Sequence, residues 1–395
     1  MKVLQINATY GRGSTGRNVK EQHEYYLSNG VDSYVAYAIV GENNERVFCI
    51  GNTFDHKLHA LLSRITGRQG RYSYLATRKF LKKIDKIAPD VVHLHNLHSN
   101  YIHLPSLLKY LAKKNIATVL TLHDFWFFTG RCYHYLYDGC EKYQMECGRC
   151  PYLKRTHSIF DFSKKDFLLR KRLFSQIKKL GIVGVSRWCV EEAEKGFFKE
   201  MGEKTYIHNW VDTNVFYPRE TERQPMKTVV AVSQGWSKEK GLPQAIALAN
   251  ALGGEAELVL IGNMPNGVAL PKNIRSVGYV GDANALAEYY SCADCFINFS
   301  TVETFGKVVI EAMACGTPAV VFSSTALKEL VEEECGKAVA AGDISAMAQA
   351  VREILEKGKD HYTKRCLASV NERFAYQTQV EKYLDFYKRV ENDRA

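Results

Sequence analysis

Short apolar runs alternate with longer stretches of helical spacing along the whole chain. In the first half the runs fall at residues 3–8, 33–39, 91–94, 118–122 and 182–185, each of strand length. Helix-like stretches lie between them, 104–114 and 190–195 among them. The second half repeats the alternation at 228–232, 257–261, 274–279, 295–299 and 319–322. Strands and helices taking turns in this way predict an α/β architecture of two doubly wound parallel sheets. Residues 213–226, with Pro218 and Pro225 among polar neighbours, are the best connector and separate a domain at 1–212 from one at 227–374. Beyond them, Phe374 and Tyr376 followed by Val380, Tyr383, Leu384 and Tyr387 make an amphipathic pattern with an aromatic stripe, and 375–395 is expected as a helix.

Composition agrees with that picture. The 395 residues suffice for two cores, and 46% hydrophobic with 24% charged residues is ordinary for a soluble globular protein. No apolar run approaches the roughly 20 residues needed to cross a bilayer. The N-terminus enters a strand directly without a signal-peptide pattern, so a cytoplasmic protein is expected. Eleven cysteines, mostly scattered through strands and helices, fit reduced thiols better than a disulfide framework.

The most informative chemistry is a pair of glutamates separated by seven residues. Glu303 falls in a loop after the strand run 295–299, and Glu311 sits about two turns along the helix that follows. Gly306 lets backbone approach a ligand closely, and Gly316 with Pro318 stops the helix. A helix that opens at a strand end points N–H groups and its positive dipole end into the crevice where α/β sheets bind ligands, which favours phosphate. Glu311 could accept bonds from sugar hydroxyls. Two ordinary helix glutamates would show the same spacing.

Four ordered elements together resemble glycosyltransferase family 4. They are Asn209-Trp210-Val211-Asp212 continuing to Phe216-Tyr217-Pro218, the Lys240-Gly241 pair, the Glu303/Glu311 helix, and Thr121-Leu122-His123-Asp124 in the first half. The resemblance covers nearly the whole chain and extends to enzymes of bacterial exopolysaccharide and colanic-acid type. It implies the GT-B fold, two Rossmann-like domains facing across a cleft, with a C-terminal helix crossing back to the first. It also implies retaining, metal-independent hexosyl transfer from a nucleotide-diphosphate sugar to a hydroxyl of a polysaccharide or lipid-linked oligosaccharide. No Asp-x-Asp segment is present to hold a catalytic metal.

Carried onto this chain, the resemblance gives catalytic roles to His123, Lys240 and Glu303. His123 would orient a sugar hydroxyl, and Lys240 would neutralise the departing diphosphate. The donor would be held by Glu311, by the backbone at Thr304, Phe305 and Gly306, and by Gly262, Tyr279 and Val280 around base and phosphate. Gly13, Ser14 and Gly16, in a glycine-rich loop that opens a helix after the first strand, would turn amides toward the pyrophosphate; a plain tight turn reads equally from the residues alone. Family members carry an arginine five residues before the lysine, where this chain has Gly235. Lys238 and Lys307 are the cations left to replace it.

Other clusters stay open. Cys132, Cys140, Cys147 and Cys150, in an insertion at 130–151 that ends Cys-x₂-Cys, match a structural zinc site, but free thiols or disulfides also fit. His93 and His95 share one side of a strand, and strand-end packing is preferred there over a metal. Lys plus Arg exceed Asp plus Glu by 53 to 43, a net charge of +10. Much of the excess lies at 64–86 and 164–179 among apolar residues, a pattern of an anionic membrane surface or of a solvated helix face. The first reading places the protein at the inner face of the membrane. A nucleotide-sugar epimerase or phosphorylase would share the architecture. A basic nucleic-acid binder is disfavoured, because the charge is spread over helices rather than set in a recognised module.

Overall fold

The computed structural model describes residues 1–153, 158–220 and 225–392. The chain divides into two compact units, Met1–Ile207 with Val380–Ala395, and His208–Gln379. Part of the connector expected at 213–226, residues 221–224, and the end of the expected 375–395 helix, residues 393–395, lie outside the described residues.

The first unit is a seven-stranded sheet of β1 (Lys2–Ile6), β2 (Asp32–Tyr37), β3 (Val47–Cys49), β4 (Val91–Leu94), β5 (Ala117–Leu122), β6 (Leu180–Gly184) and β7 (Glu203–Tyr206), in the order 3-2-1-4-5-6-7. All its pairings are parallel. Strands β4, β5 and β6 are buried at every position, because helices cover both faces, and they therefore read as continuous runs rather than alternating ones.

The second unit holds β8 (Thr228–Gly235), β9 (Glu257–Asn263), β10 (Ile274–Gly278), β11 (Cys295–Asn298), β12 (Ala319–Phe322) and β13 (Gly336–Val339), in the order 10-9-8-11-12-13, again parallel throughout. Each of the ten apolar runs is a strand. The strands that no run announced, β3, β7 and β13, are all sheet edges. An edge strand packs against one neighbour only, so β7 (Glu-Lys-Thr-Tyr) forms with no buried residue.

The segment Asn209–Pro218 belongs to the second unit. Trp210 and Val211 are buried, Val211 bridges to Ala375, and Phe216 packs near Tyr290. Phe374 and Ala375 stand outside the final helix, which runs Tyr376–Asn392; Phe374 instead follows the helix Lys359–Arg373. From Val380 onward the final helix is part of the first unit. There it buries Val380, Tyr383, Phe386, Tyr387 and Val390, while Leu384 is half-buried.

The cysteine-bearing insertion follows β5. Tyr135 and Tyr143 donate to the buried carboxylate of Glu192, on the helix Arg187–Lys195, and so tie the insertion to the first unit. Arg170, grouped by sequence with the exposed basic face, is buried. Its guanidinium donates to the carbonyls of Trp126 and Thr129 at 2.6 Å each and lies 3.8 Å from the Trp126 ring centre. Those contacts satisfy a cation that would otherwise be costly to bury.

Candidate functional site

In the second unit strand order reverses between β8 and β11, the place where open parallel sheets leave a crevice at their C-terminal ends. Gly241 brings the loop after β8 to that point. Its φ of +83° is left-handed, and a Cβ there would lie 2.3 Å from Phe299 Cβ and 2.6 Å from the Phe299 carbonyl oxygen. Only glycine lets the loop lie this close to the end of β11. Lys240 is thereby set against Glu303, Nζ to Oε1 2.9 Å, both side chains partly exposed.

Glu303 is held from the next connection. Its N–H donates to Thr325 Oγ1 at 3.1 Å, and its carbonyl accepts from Ala326 N–H at 3.3 Å. Gly306, at φ +96°, then opens the helix Lys307–Ala314 without a side-chain cap, so the first-turn N–H groups are the donors an anion would meet. Glu311 lies buried in the second turn. The Phe305 ring turns inward, 5.7 Å from His208 and 5.9 Å from Phe374 between ring centres, while Thr304 is half-buried. Gly262 lies in β9; exposed Tyr279 and half-buried Val280 follow β10, two strands from β8.

In the first unit the order reverses between β1 and β4. Gly13 is the first residue of the helix Gly13–Ser28, so Ser14 and Gly16 are helical rather than loop residues. Gly16 fits closely against Thr9, whose Oγ1 would lie 2.5 Å from a Cβ. His123 follows β5. Its Nε2 meets His95 Nδ1 at 3.0 Å with the rings stacked, and His95 Nε2 meets Gln5 Oε1 at 3.2 Å.

Below that chain, His93 bonds Thr121 Oγ1 (2.7 Å) and Tyr387 OH (2.6 Å), and Tyr387 bonds Tyr26 (3.2 Å). Burial pushes His123 down to about 4 against the opposing pull of Asp124, and holds His93 and His95 well below the usual histidine range. All three imidazoles are neutral at pH 7. Burial would raise the Asp124 carboxyl, but His98 at 2.8 Å and the Trp126 N–H at 2.9 Å bring it below its ordinary value.

The histidine cluster was legible in sequence. Its support from Gln5, Thr121, Tyr383 and Tyr387 was not, since Tyr387 is 294 residues from His93. Strand alternation carries no trace of a partner that distant.

The four insertion cysteines are free thiols in one region of the first unit. Burial raises Cys132 and Cys147 to about 12, and Cys150 and Cys140 add to both shifts. The Gly130 N–H donates to Cys147 Sγ at 3.2 Å. Among the described residues no three His, Cys, Asp or Glu side chains are gathered closely enough to hold a metal ion.

Residues 17–215, half of the chain, match the family model described as Glycosyltransferase Family 4, and residues 226–357 match Glycosyl transferases group 1. The chain belongs to glycosyltransferase family 4. This glycosyltransferase is 24% identical over 421 residues, 99% of its own length and 100% of the relative, to an Escherichia coli K12 protein named for colanic acid biosynthesis glycosyl transfer, WcaC. It is 32% identical over 189 residues to the GDP-mannose-dependent alpha-(1-6)-phosphatidylinositol dimannoside mannosyltransferase of Mycobacterium tuberculosis, 44% of this chain and 49% of that one. Sucrose-phosphate synthase from Thermosynechococcus elongatus superposes with a TM-score of 0.70 at 18% identity, covering 98% of both chains. Anabaena Alr3699/HepE in complex with UDP does so at 0.66 and 16% identity, over 98% of this chain and 100% of that one. The two Rossmann-like units are those of the GT-B fold.

Gly235 ends β8 where a Cβ would make only ordinary van der Waals contacts, with Asn263 O at 3.8 Å and Asn263 Cβ at 3.9 Å. A larger side chain can therefore be added at Gly235 without a close backbone clash. Gly235→Arg is expected to fold and to tighten UDP or GDP binding by about tenfold through a charge-assisted contact. Isothermal titration calorimetry reads it; unchanged affinity in a folded variant would put the guanidinium outside the phosphate site.

Proposed function

We propose that this glycosyltransferase moves a sugar from a nucleoside-diphosphate donor to a hydroxyl of a polysaccharide or lipid-linked oligosaccharide, with retention and without a catalytic metal, at the inner face of the membrane. The observation that carries the reading is Lys240 beside Glu303 at the β8/β11 reversal, in the same loop system as the uncapped start of Lys307–Ala314. An ammonium and a helix N-terminus together suit a diphosphate. The names of WcaC and of the mycobacterial mannosyltransferase support the acceptor class, and the UDP complex of Alr3699/HepE supports a nucleotide donor.

In the proposed step the bond from the anomeric carbon to the phosphate oxygen breaks, and the acceptor oxygen bonds to the same face of that carbon. The departing phosphate oxygen takes the acceptor's proton, and Lys240 with the helix N-terminus stabilises the remaining charge. Neutral His123 serves as a hydrogen-bonding group for a sugar hydroxyl, since at pH 7 it holds no ionising proton to give. Glu303 and Glu311 are the acceptors for other hydroxyls.

A thermal-shift series with UDP, GDP, UDP-glucose and GDP-mannose tests the donor class. One base is expected to raise the melting temperature by several degrees through linkage, and NMR of the product with that donor should show the donor's anomeric configuration. No shift with any of the four, or an inverted product, would overturn the reading.

A further inference from the structure

The helix Thr53–Thr66 is amphipathic in the reverse of the usual sense. Its buried residues are His59 and Ser63, both polar, and His59 Nδ1 meets Ser73 Oγ at 2.8 Å. Four of its apolar residues, Phe54, Leu58, Leu61 and Ile65, spaced as one stripe, are 74%, 45%, 57% and 39% exposed, and Leu62 is half-buried. A surface helix ordinarily buries such a stripe. Exposed Ile159 and Phe160 extend it, with Ile159 N–H donating to the Ile65 carbonyl at 3.3 Å. A contiguous exposed apolar face of this kind marks a contact surface.

Charge selects what the surface meets. Residues 56–84 contain eight Lys and Arg and no Asp or Glu. Lys57, Arg64, Arg78, Lys79 and Lys82 are exposed, whereas Arg68 is engaged by Asp166. An open cavity of about 850 Å³ lies beside the helix; Lys57, Arg64 and Arg131 are in its lining, with no carboxylate among its described residues. A second copy would present the same positive face to itself and be repelled, because a two-fold interface pairs a patch with its own image. Apolar wedge and surrounding cations fit the boundary between acyl chains and anionic headgroups.

We infer that the helix Thr53–Thr66 is the membrane-docking element of this glycosyltransferase, its stripe entering a bilayer that contains anionic phospholipid while the flanking cations meet the phosphates. This deepens the membrane-face reading above and rests on it. No helix among the described residues is long and apolar enough to cross a membrane, so attachment here is through a face and not a span.

The full chain is sedimented with vesicles of phosphatidylcholine alone or with about one-third phosphatidylglycerol, at about 0.15 M salt. The expected result is at least tenfold stronger binding to the anionic vesicles. Leu58→Glu with Leu61→Glu should lose at least tenfold of it while keeping the nucleotide-induced thermal shift of the parent. In Phe54→Trp the new indole should be quenched by brominated acyl chains.

Failure to bind either vesicle, binding that survives the Leu58/Leu61 pair, or indole fluorescence in Phe54→Trp that is blind to brominated lipid would each overturn the inference. So would a concentration-dependent dimer in lipid-free solution that the same pair abolishes. A chain that shifts with nucleotide but ignores vesicles loses only the docking role; one that binds vesicles but no nucleotide loses the donor reading instead.

Discussion

Lys240→Ala is expected to lower the rate of sugar transfer by about 10² to 10³, the range for removing one preorganised charge from a developing anion. The loss should fall on the turnover number as well as on substrate binding, because the leaving diphosphate gains charge only as the bond breaks. Glu303 makes the result more specific. In this structure it holds the ammonium at 2.9 Å, so a bound diphosphate and a carboxylate compete for one cation. Glu303→Gln should therefore tighten binding of the nucleoside diphosphate product while transfer falls, since the variant frees Lys240 but loses the charged acceptor proposed for a sugar hydroxyl. Titration calorimetry and initial rates measure the two effects separately. A Lys240→Ala enzyme with transfer within about threefold of the parent would remove the lysine from the mechanism. Weaker product binding in Glu303→Gln would show that the carboxylate orients the lysine rather than competing for it.

Acidification should unfold the first unit well before carboxylates alone would require. Burial lowers His23 to about 4, His59 to about 3, and His103 and His123 to about 4, and holds His93 and His95 well below the usual histidine range; all six lie in the first unit. In the unfolded chain each titrates near about 6.5. Below that value the unfolded state binds more protons than the folded one, so stability falls with falling pH until each folded value is reached.

At pH 5 one such imidazole costs roughly 2 kcal/mol, and several together rival the whole stability of an ordinary domain. Thermal melts at pH 7.5, 6.5, 5.5 and 4.5 should show the melting temperature nearly constant above 7 and dropping steeply between 6.5 and 4. Near-UV circular dichroism should follow the same course, since His23, His59, His93 and His103 pack against the rings of Tyr10, Tyr72, Tyr387 and Tyr74. A flat melting temperature down to pH 5 would mean that the histidines are protonated in the folded chain.

Legibility followed burial. Strands covered on both faces carried an unmistakable apolar signature, and the helix of Glu311, which follows the loop of Glu303, announced itself through Gly306 and Gly316. The edge strands β7 and β13 escaped, because a strand with one neighbour and an open side needs no apolar run, and β3, though apolar, is only three residues long. Arg170 escaped in the opposite direction. A lone arginine in a basic stretch reads as surface, and only two backbone carbonyls and the face of Trp126 turned inward make it an interior residue. The exposure of Phe54, Leu58, Leu61 and Ile65 was decided by packing.

By itself the sequence determined two parallel sheets, ten of the thirteen described strands and the loop that holds Glu303, because local apolar runs and glycines are properties of neighbouring residues. The tertiary structure alone decided that Lys240 and Glu303, 63 residues apart, share one hydrogen bond, and that tyrosines of the last helix complete the histidine core of the first unit. Those contacts depend on strand order in space and on which helix face meets a sheet, and no short stretch of chain encodes either.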